Sequence, residues 1–247
     1  MIRWLGKVSA MIVGLVILLA IAGASYQAIE SRLDARRFPQ IGKSVDVGGY
    51  KLNLNCTGQG SPTVILDSGL GGLALSWQGV QGEVEKFTRV CTYDRGGYGW
   101  SDPGPMPRTS AQIVKELHTL LQNSGEKPPY ILVGHSSGGF NVRVYNGQYP
   151  DDVVGMVLVD ASHEDQVRES PANIRKWWEN SSKEFQRQME FRALAIWFGV
   201  ARFASRKQTQ EFAHLDLHPK FVYAMRSESE NFEESAQRSE SCWNSRR

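Results

Sequence analysis

The longest apolar run of the chain lies near its N-terminus. No charged residue occurs between Lys7 and Glu30, and residues 8–24 are almost entirely aliphatic or small. In a helix that rises about 1.5 Å per residue, an uncharged stretch of this length crosses a hydrocarbon core of roughly 30 Å. The pattern therefore predicts a transmembrane helix or signal anchor over residues 8–26, which follows a basic N-terminal segment, residues 1–7.

The same segment also has the features of a cleavable signal peptide. Arg3 and Lys7 provide a basic start, and Ala22-Gly23-Ala24 has the small-x-small form of a signal-peptidase site. The apolar run is longer than that of a usual signal peptide, which favours an uncleaved anchor. We expect a single-pass membrane protein, with secretion after cleavage as the alternative. Basic residues flank both ends of the run, so their distribution does not decide the orientation.

Short apolar strands alternate with helices through the middle of the chain. They follow residues 27–44, a polar stretch of mixed charge that is expected to form a stalk. A hairpin is predicted around Gly48-Gly49, and a helix over residues 73–87. Four apolar strands are predicted further on: PTVILD, RVCTYD, YILVG and VVGMVLVD, at 62–67, 89–94, 130–134 and 153–160.

The helix after Thr109 has the clearest boundaries. Thr109 and Gln112 match a capping box at its start, and Gly125 supplies a stop. Strands separated by helices predict an α/β fold, a mostly parallel sheet with helices on both faces, over residues 45–163. Residues 164–235 are expected to be a helical, aromatic-rich cap, and residues 236–247, which lack periodicity, a disordered or aberrant tail.

Composition narrows the function only slightly. Of the 247 residues, 41% are hydrophobic and 22% charged, as in ordinary folded domains. The net charge of +2 is too small, and the basic residues are too scattered, to indicate nucleic-acid binding. No zinc-like spacing of cysteine and histidine occurs, so we predict no metal and no cofactor.

A candidate nucleophile lies where the YILVG strand meets the next helix. Gly134-His135-Ser136-Ser137-Gly138 matches G-x-S-x-G, the pattern of a sharp turn that exposes a reactive serine. Such a turn needs small residues two positions before and after Ser136, and both are glycine. The N-terminal amides of the following helix favour negative charge at this point. A simple glycine turn would be the default interpretation of the pattern outside this context.

Four segments together resemble the α/β-hydrolase family: DSGLGG, YDRGGYGWSD, LVGHSSGG and MVLVDASHED, in that order, within residues 45–165. The resemblance implies a Ser–His–acid triad and a helical cap after the sixth strand. It also implies an oxyanion hole formed by the backbone N–H groups of Leu70 and Ser137. A serine at the elbow argues against the dehalogenase and epoxide-hydrolase chemistry of this fold, which resembles attack by an aspartate.

The chain departs from the family pattern at its C-terminal end. The acid of the family usually follows a seventh strand and the histidine an eighth, and we find neither strand before Arg247. Asp160 and His163, at the end of the sixth strand, are the only acid/base pair near the right edge of the sheet. We therefore expect the chain to stop before the rest of its triad.

These features predict a membrane-anchored serine hydrolase that acts on ester-like bonds of small, apolar substrates. The alternative is a catalytically inactive fold that serves as a binding or scaffold protein. Cys56 and Cys91 fall on strands that are neighbours in the family's sheet order, close enough for a disulfide. Two buried thiols are the other interpretation. A disulfide would place the hydrolase domain outside the cytoplasm, because such bonds persist in oxidising compartments.

Overall fold

The computed structural model describes residues 2–204 and 215–244. Residues 205–214 of the predicted cap, which include His214, and residues 245–247 of the predicted tail lie outside this part of the chain. The N-terminal helix α1 spans Ile2–Arg37. A window within Trp4–Arg37 reaches a mean hydropathy of 2.5 with none of it buried, so this helix is long and apolar enough to cross a membrane. The helix continues through most of the predicted stalk.

Six strands form one sheet in the order β1-β2-β4-β3-β5-β6. The first two strands form the predicted hairpin, and β2 runs antiparallel to β4, whereas β3 pairs in parallel with β4 and β5, and β5 with β6. The prediction of a mostly parallel sheet is thus confirmed. The strands are β1 Lys43–Asp46, β2 Lys51–Thr57, β3 Thr63–Asp67, β4 Val90–Tyr93, β5 Tyr130–His135 and β6 Val153–Val159.

Helices cover both faces of the sheet. On one face, α3 (Ser110–Ser124) and α4 (Gly138–Gln148) pack on a core that includes Ile65 and Leu132. On the other face, Trp77 packs with a smaller cluster from β3, β4 and β5. The predicted helix at 73–87 is shorter than expected: a 3₁₀ turn at Ala74–Trp77 leads into α2, Gln78–Val84.

The ends of α3 form largely as the sequence predicts. Thr109 accepts a hydrogen bond from the backbone N–H of Gln112, and Gly125 adopts a left-handed conformation with φ of 83°. The Gln112 side chain donates instead to Glu116, at 2.9 Å. Only the Thr109 half of the capping box is therefore present.

Within residues 164–204 and 215–231, the cap includes the helices α5 Asp165–Arg168, α6 Ala172–Trp197, α7 Val200–Ala204 and α8 Pro219–Glu230. Met189, Ala193 and Ile196 of α6 pack with Phe221 and Val222 of α8 in a second core. Leu73, Leu75 and Tyr98 of the sheet domain belong to the same core. The cap is thus fixed to the loops that follow β3 and β4.

The expectation of a disordered tail is corrected by the structure, in which α9 spans Phe232–Asn244. Its contacts with the sheet domain include the edge-on packing of Phe232 on Phe140, with ring centroids 5.0 Å apart, and two buried hydrogen bonds. Ser239 accepts a hydrogen bond from Arg143 at 2.9 Å, and Ser235 accepts one from the N–H of Ser110 at 3.0 Å. Apolar residues are sparse in residues 236–244 and buried serines make several of the contacts, which is why periodicity did not reveal this helix.

Strand β6 forms one edge of the sheet, and its apolar side chains are unusually exposed. Val154 is 63% exposed and Val157 48%. In the parts of the chain that the structure describes, no strand follows β6. The outer side of β6 is therefore unpaired there.

Candidate active site

Ser136 lies at a tight turn between β5 and α4. Its φ of 51° is in the left-handed region, which a non-glycine residue adopts only where its surroundings impose it. The Ser136 N–H donates to the Val159 carbonyl at 3.3 Å. The Ser136 carbonyl accepts from the N–H groups of Gly139 and Ser162, each at 2.9 Å. Strand β6 and the start of α4 therefore hold the serine in this conformation.

Close contacts explain why the positions two residues before and after Ser136 are both glycine. A Cβ atom on Gly134 would lie 2.7 Å from the carbonyl oxygen of Gly138. One on Gly138 would lie 2.6 Å from the carbonyl oxygen of Asp67, at the end of β3. Both distances are shorter than real carbon–oxygen contacts, so any larger residue would open the turn.

The glycine loop after β3 lies directly over Ser136. A Cβ atom on Gly69 would lie 3.3 Å from Ser136 Oγ. The loop closes through a hydrogen bond from the N–H of Gly72 to the carbonyl of Gly69, at 2.9 Å. Leu70 and Ser137 line the same cleft as Ser136. Within residues 2–204 and 215–244, the N–H groups of Leu70 and Ser137 make no hydrogen bond.

A buried arginine that sequence reasoning did not single out holds this loop. Arg95, only 3% exposed, donates to the carbonyl oxygens of Ser68 at 2.6 Å and Gly69 at 2.8 Å. The same guanidinium pairs with Asp67 at 3.0 Å and with Glu228 of α8 at 2.9 Å. One cation therefore joins β3, the glycine loop and the cap.

The Asp67 carboxylate is deeply buried beside this arginine. Burial raises the pKa of Asp67 above its ordinary value, against the opposing charge of Arg95. Asp67 also accepts a hydrogen bond from the Tyr93 hydroxyl at 2.9 Å. Because Asp67 and Glu228 share one guanidinium, loss of Arg95 would leave two buried carboxyl groups without their cation.

The YDRGGYGWSD segment has a structural role in the loop after β4. Asp94 accepts hydrogen bonds from the N–H of Ala74 at 2.8 Å, from Asn53 at 2.9 Å and from the N–H of Trp100 at 3.2 Å. Gly99, with φ of 45°, leaves room for this carboxylate. The motif thus fastens the loop after β3 to the sheet without reaching the cleft.

The cleft at Ser136 has a volume of about 770 Å³ and also contains the two residues expected as acid and base. Asp160, with φ of 42°, and His163 both line it. His163 is directed at Asp165 rather than Asp160: its Nδ1 accepts the N–H of Asp165 at 3.1 Å. This contact directs Nδ1 of His163 away from Asp160. The structure therefore does not form the expected Asp160–His163 pair.

Other described histidines have structural surroundings. His118 stacks on Tyr149 with ring centroids 3.7 Å apart. His135 is exposed and meets Trp77 edge-on at 6.3 Å. His218 precedes the first residue of α8. Within residues 2–204 and 215–244, no hydrogen bond joins the Ser136 hydroxyl to a histidine.

Cys56 and Cys91 are directly opposite each other on β2 and β4, and the structure joins them in a disulfide with a Cα separation of 4.0 Å. Their sulfurs lie within 4.8 Å of a Glu126 oxygen, which is a metal-like grouping. Sulfurs that are bonded to each other are not thiolates, so this group is not a metal site.

The strand order, the elbow at Ser136 and the glycine loop define the class: an α/β protein with a serine at a strand-to-helix turn. The sequence model described as "alpha/beta hydrolase fold" matches residues 62–244. The chain belongs to the α/β-hydrolase fold family.

Curated relatives match only part of this chain. Identity is 34% over 103 residues with the uncharacterized protein YqjL of Bacillus subtilis, covering 42% of this chain and 41% of that protein. It is 30% over 134 residues with an uncharacterized vacuolar membrane protein of Saccharomyces cerevisiae, covering 47% and 21% respectively. The first three relatives are matched over 20%, 46% and 41% of their own length.

Solved structures share the fold at low sequence identity. The Cif epoxide hydrolase from Acinetobacter nosocomialis superimposes with a TM-score of 0.69 at 15% identity, over 90% of this chain and 76% of that one. MGS-M2, an alpha/beta hydrolase enzyme from a deep-sea metagenome library, superimposes with a TM-score of 0.59 at 16% identity, over 77% of this chain and 72% of that one. These likenesses concern the fold alone.

Proposed function

We propose that this chain is a membrane-anchored serine hydrolase that acts on ester-like bonds through Ser136. The arrangement of Ser136, Leu70 and Ser137 is the main support for this proposal. A serine in a constrained backbone conformation lines one cleft with two N–H groups that have no partner in the described chain. Buried or half-buried N–H groups normally have partners, so unused donors beside a candidate nucleophile favour a bound oxyanion.

In the proposed reaction, Ser136 Oγ attacks the acyl carbon of the substrate while its proton passes to a base. The carbonyl oxygen becomes an oxyanion that accepts hydrogen bonds from the N–H groups of Leu70 and Ser137. One such donor contributes on the order of 3 kcal/mol to the transition state. Collapse releases the alcohol and leaves an acyl-enzyme, which water then hydrolyses.

The cleft lining favours an uncharged substrate. Leu70, Trp178 and Phe232 provide apolar surface, whereas Asp160 and Glu169 provide carboxylates. Apolar walls bind an acyl or alkyl group, and nearby carboxylates repel an anionic one. We therefore propose a neutral ester with an apolar moiety as the substrate class.

Turnover by the 247-residue chain itself is expected to be slow. A serine hydroxyl is a weak nucleophile at neutral pH unless an adjacent base accepts its proton. In the described residues the Ser136 hydroxyl has no histidine partner, and His163 Nδ1 is engaged by the N–H of Asp165. The same observation supports the alternative function, a catalytically inactive fold that binds a ligand in the cleft.

Chemical rescue by imidazole separates these two functions. A fluorophosphonate probe reacts with a nucleophilic serine, and added imidazole can replace a missing base. We expect labelling whose rate rises with imidazole concentration, is abolished by Ser136→Ala and is kept by His163→Ala. Ser44→Ala is the matched control, because Ser44 is exposed and distant from Ser136 in the sequence. This variant should label like the parent chain. No Ser136-dependent labelling at any imidazole concentration would favour the inactive binding fold.

The anchor and its orientation belong to the same proposal. Helix α1 is long and apolar enough to cross a membrane, and a relative from S. cerevisiae is described as a vacuolar membrane protein. The Cys56–Cys91 disulfide favours an oxidising compartment for the hydrolase domain, with Arg3 and Lys7 on the cytoplasmic side. Secretion after cleavage near Ala22-Gly23-Ala24 is the alternative, and the mass of the mature N-terminus distinguishes the two.

A further inference from the structure

The C-terminal part of α1 is fastened to the cap by a buried polar cluster. Arg202 of α7, 7% exposed, forms an ion pair with Asp34 and donates to Gln27 at 3.1 Å. Gln27 in turn donates to the carbonyl of Leu217 at 2.8 Å. Gln27, Ser31 and Asp34 are spaced four and three residues apart, so they share one face of α1. This cluster fixes how the cap is oriented on the anchor helix.

The contact begins inside the apolar run of α1. A Cβ atom on Gly23 would clash with the carbonyl oxygen of Phe198, so the two backbones touch at this position. The first charged residue of α1 after Lys7 is Glu30, seven residues beyond Gly23, or about 10 Å along the helix. A cap that reaches Gly23 therefore extends to the level at which the apolar run of α1 meets the bilayer boundary.

The cap exposes a set of large apolar side chains at this same end. We call them the cap patch: Phe191, Leu194, Trp197, Phe198, Val200 and Tyr223, which are between 44% and 66% exposed. Spacings of three residues place the α6 members, Phe191, Leu194 and Trp197, on one side of that helix. The opposite side of α6, with Met189, Ala193 and Ile196, is buried in the cap core. The patch is thus an outer face that the described part of this chain leaves exposed.

We propose that the cap patch inserts into the interfacial layer of the same bilayer that α1 crosses. The inference rests on the proposed membrane span of α1. Trp and Tyr favour the headgroup level of a membrane, and an apolar helix face there is buried by roughly 5–10 Å. Because Gly23 touches Phe198, insertion of α1 already places the patch at that level, and no further loss of translational freedom opposes its binding.

This contact would also set the position of the catalytic cleft. Trp178, which lines the cleft, and Phe191 of the patch are both on α6, 13 residues or about 20 Å apart along the helix. A helix held at the membrane by one end thus fixes the distance of the cleft from the lipid surface. An apolar ester that partitions into the bilayer would then be concentrated near the cleft.

Lipid quenching of a site-specific fluorophore tests the proposal on the full chain in vesicles. In a Cys242→Ser background with the disulfide intact, an environment-sensitive dye is attached at Leu194→Cys in the patch. Gln188→Cys is the matched control, because this exposed polar residue lies on α6 at about 110° from the centre of the patch. Leu15→Cys, within the apolar run of α1, reports the span independently.

The expected result is a blue-shifted emission at positions 15 and 194 that is quenched by lipids with brominated acyl chains, and neither effect at position 188. Quenching at 15 without quenching at 194 would overturn the cap contact while leaving the anchor intact. A shielded dye at 194 that lipid does not quench would show that a second copy or another protein covers the patch. No quenching at 15 would overturn the span and the cap contact together. Labelling of Ser136 with imidazole, measured on the same samples, reports the proposed hydrolase site separately.

Discussion

Gly69 and Ser136 face each other so closely that a methyl group on Gly69 would lie 2.9 Å from Ser136 Cβ and 3.3 Å from its Oγ. The glycine loop and the candidate nucleophile therefore occupy adjoining positions that a side chain at residue 69 would disturb. Leu70, the next residue, supplies one of the two N–H groups proposed for the oxyanion hole. The position of that N–H thus depends on the absence of a side chain at its neighbour.

Gly69→Ala is expected to slow the imidazole-assisted phosphonylation of Ser136 by roughly tenfold to a hundredfold, since a displacement of about 1 Å in an active site has effects of this size. The rate of labelling at fixed imidazole concentration measures it. Gly79→Ala is the control, because a methyl group there meets nothing within 4 Å. An unchanged rate for Gly69→Ala would show that the loop does not take part.

Arg95→Met is expected to lower the free energy of unfolding of the domain by about 3–5 kcal/mol, because it leaves the buried carboxyl groups of Asp67 and Glu228 without their cation. Arg226→Met removes an arginine whose ion pairs are partly exposed, and should cost no more than about 1 kcal/mol. Urea unfolding followed by fluorescence compares the two. Equal losses would contradict the role given to Arg95.

Thiol counting checks the disulfide and the topology that it supports. Denatured, unreduced protein from its native membrane should contain one reactive thiol, that of Cys242. Cys56→Ala combined with Cys91→Ala should lower the free energy of unfolding by about 4 kcal/mol, as for a closed loop of some 35 residues. Three reactive thiols would remove both the disulfide and its support for a domain outside the cytoplasm.

The ion pair between Arg89 and Glu126 accounts for part of the stability that we expect the domain to lose at acidic pH. Two hydrogen bonds of 2.7 Å from Arg89 hold the pKa of Glu126 below its ordinary value of 4.5. Stability from this pair is therefore complete above about pH 4.5 and is lost as pH falls through the lower, folded-state pKa. Because Arg89 is partly exposed, the contribution is about 1 kcal/mol or less.

Glu126→Gln should lower stability at pH 7 and reduce its loss on acidification. Unfolding free energies measured at pH 7, 4.5 and 3 test this. Glu83→Gln, which removes the carboxylate of a highly exposed ion pair, is the control. It should change neither the stability at pH 7 nor the loss of stability on acidification. An acid-induced loss of equal size in parent and Glu126→Gln would contradict the assignment.

Local patterns in the sequence predicted the sheet and the elbow. An apolar strand such as YILVG and the glycines at 134 and 138 each act on neighbouring residues, so their consequences can be inferred without a structure. The mostly parallel sheet and the family were predicted in this way, and both are confirmed.

Contacts between distant residues were not predictable in the same way. Arg95 and Glu228 are 133 positions apart, and Arg202 and Asp34 are 168 apart. A charged residue that will be buried by a distant partner resembles any solvated charge in the sequence. Helix α9 was missed for a related reason, since apolar residues are sparse along it and Ser235 and Ser239 make buried hydrogen bonds with distant residues.

A structure of the phosphonylated protein tests most directly whether Ser136 is a nucleophile facing an oxyanion hole. We expect phosphorus bonded to Ser136 Oγ. We also expect that one phosphonyl oxygen accepts hydrogen bonds from the N–H groups of Leu70 and Ser137, at about 2.7–3.1 Å. An adduct on another residue, or a phosphonyl oxygen directed away from both N–H groups, would contradict it.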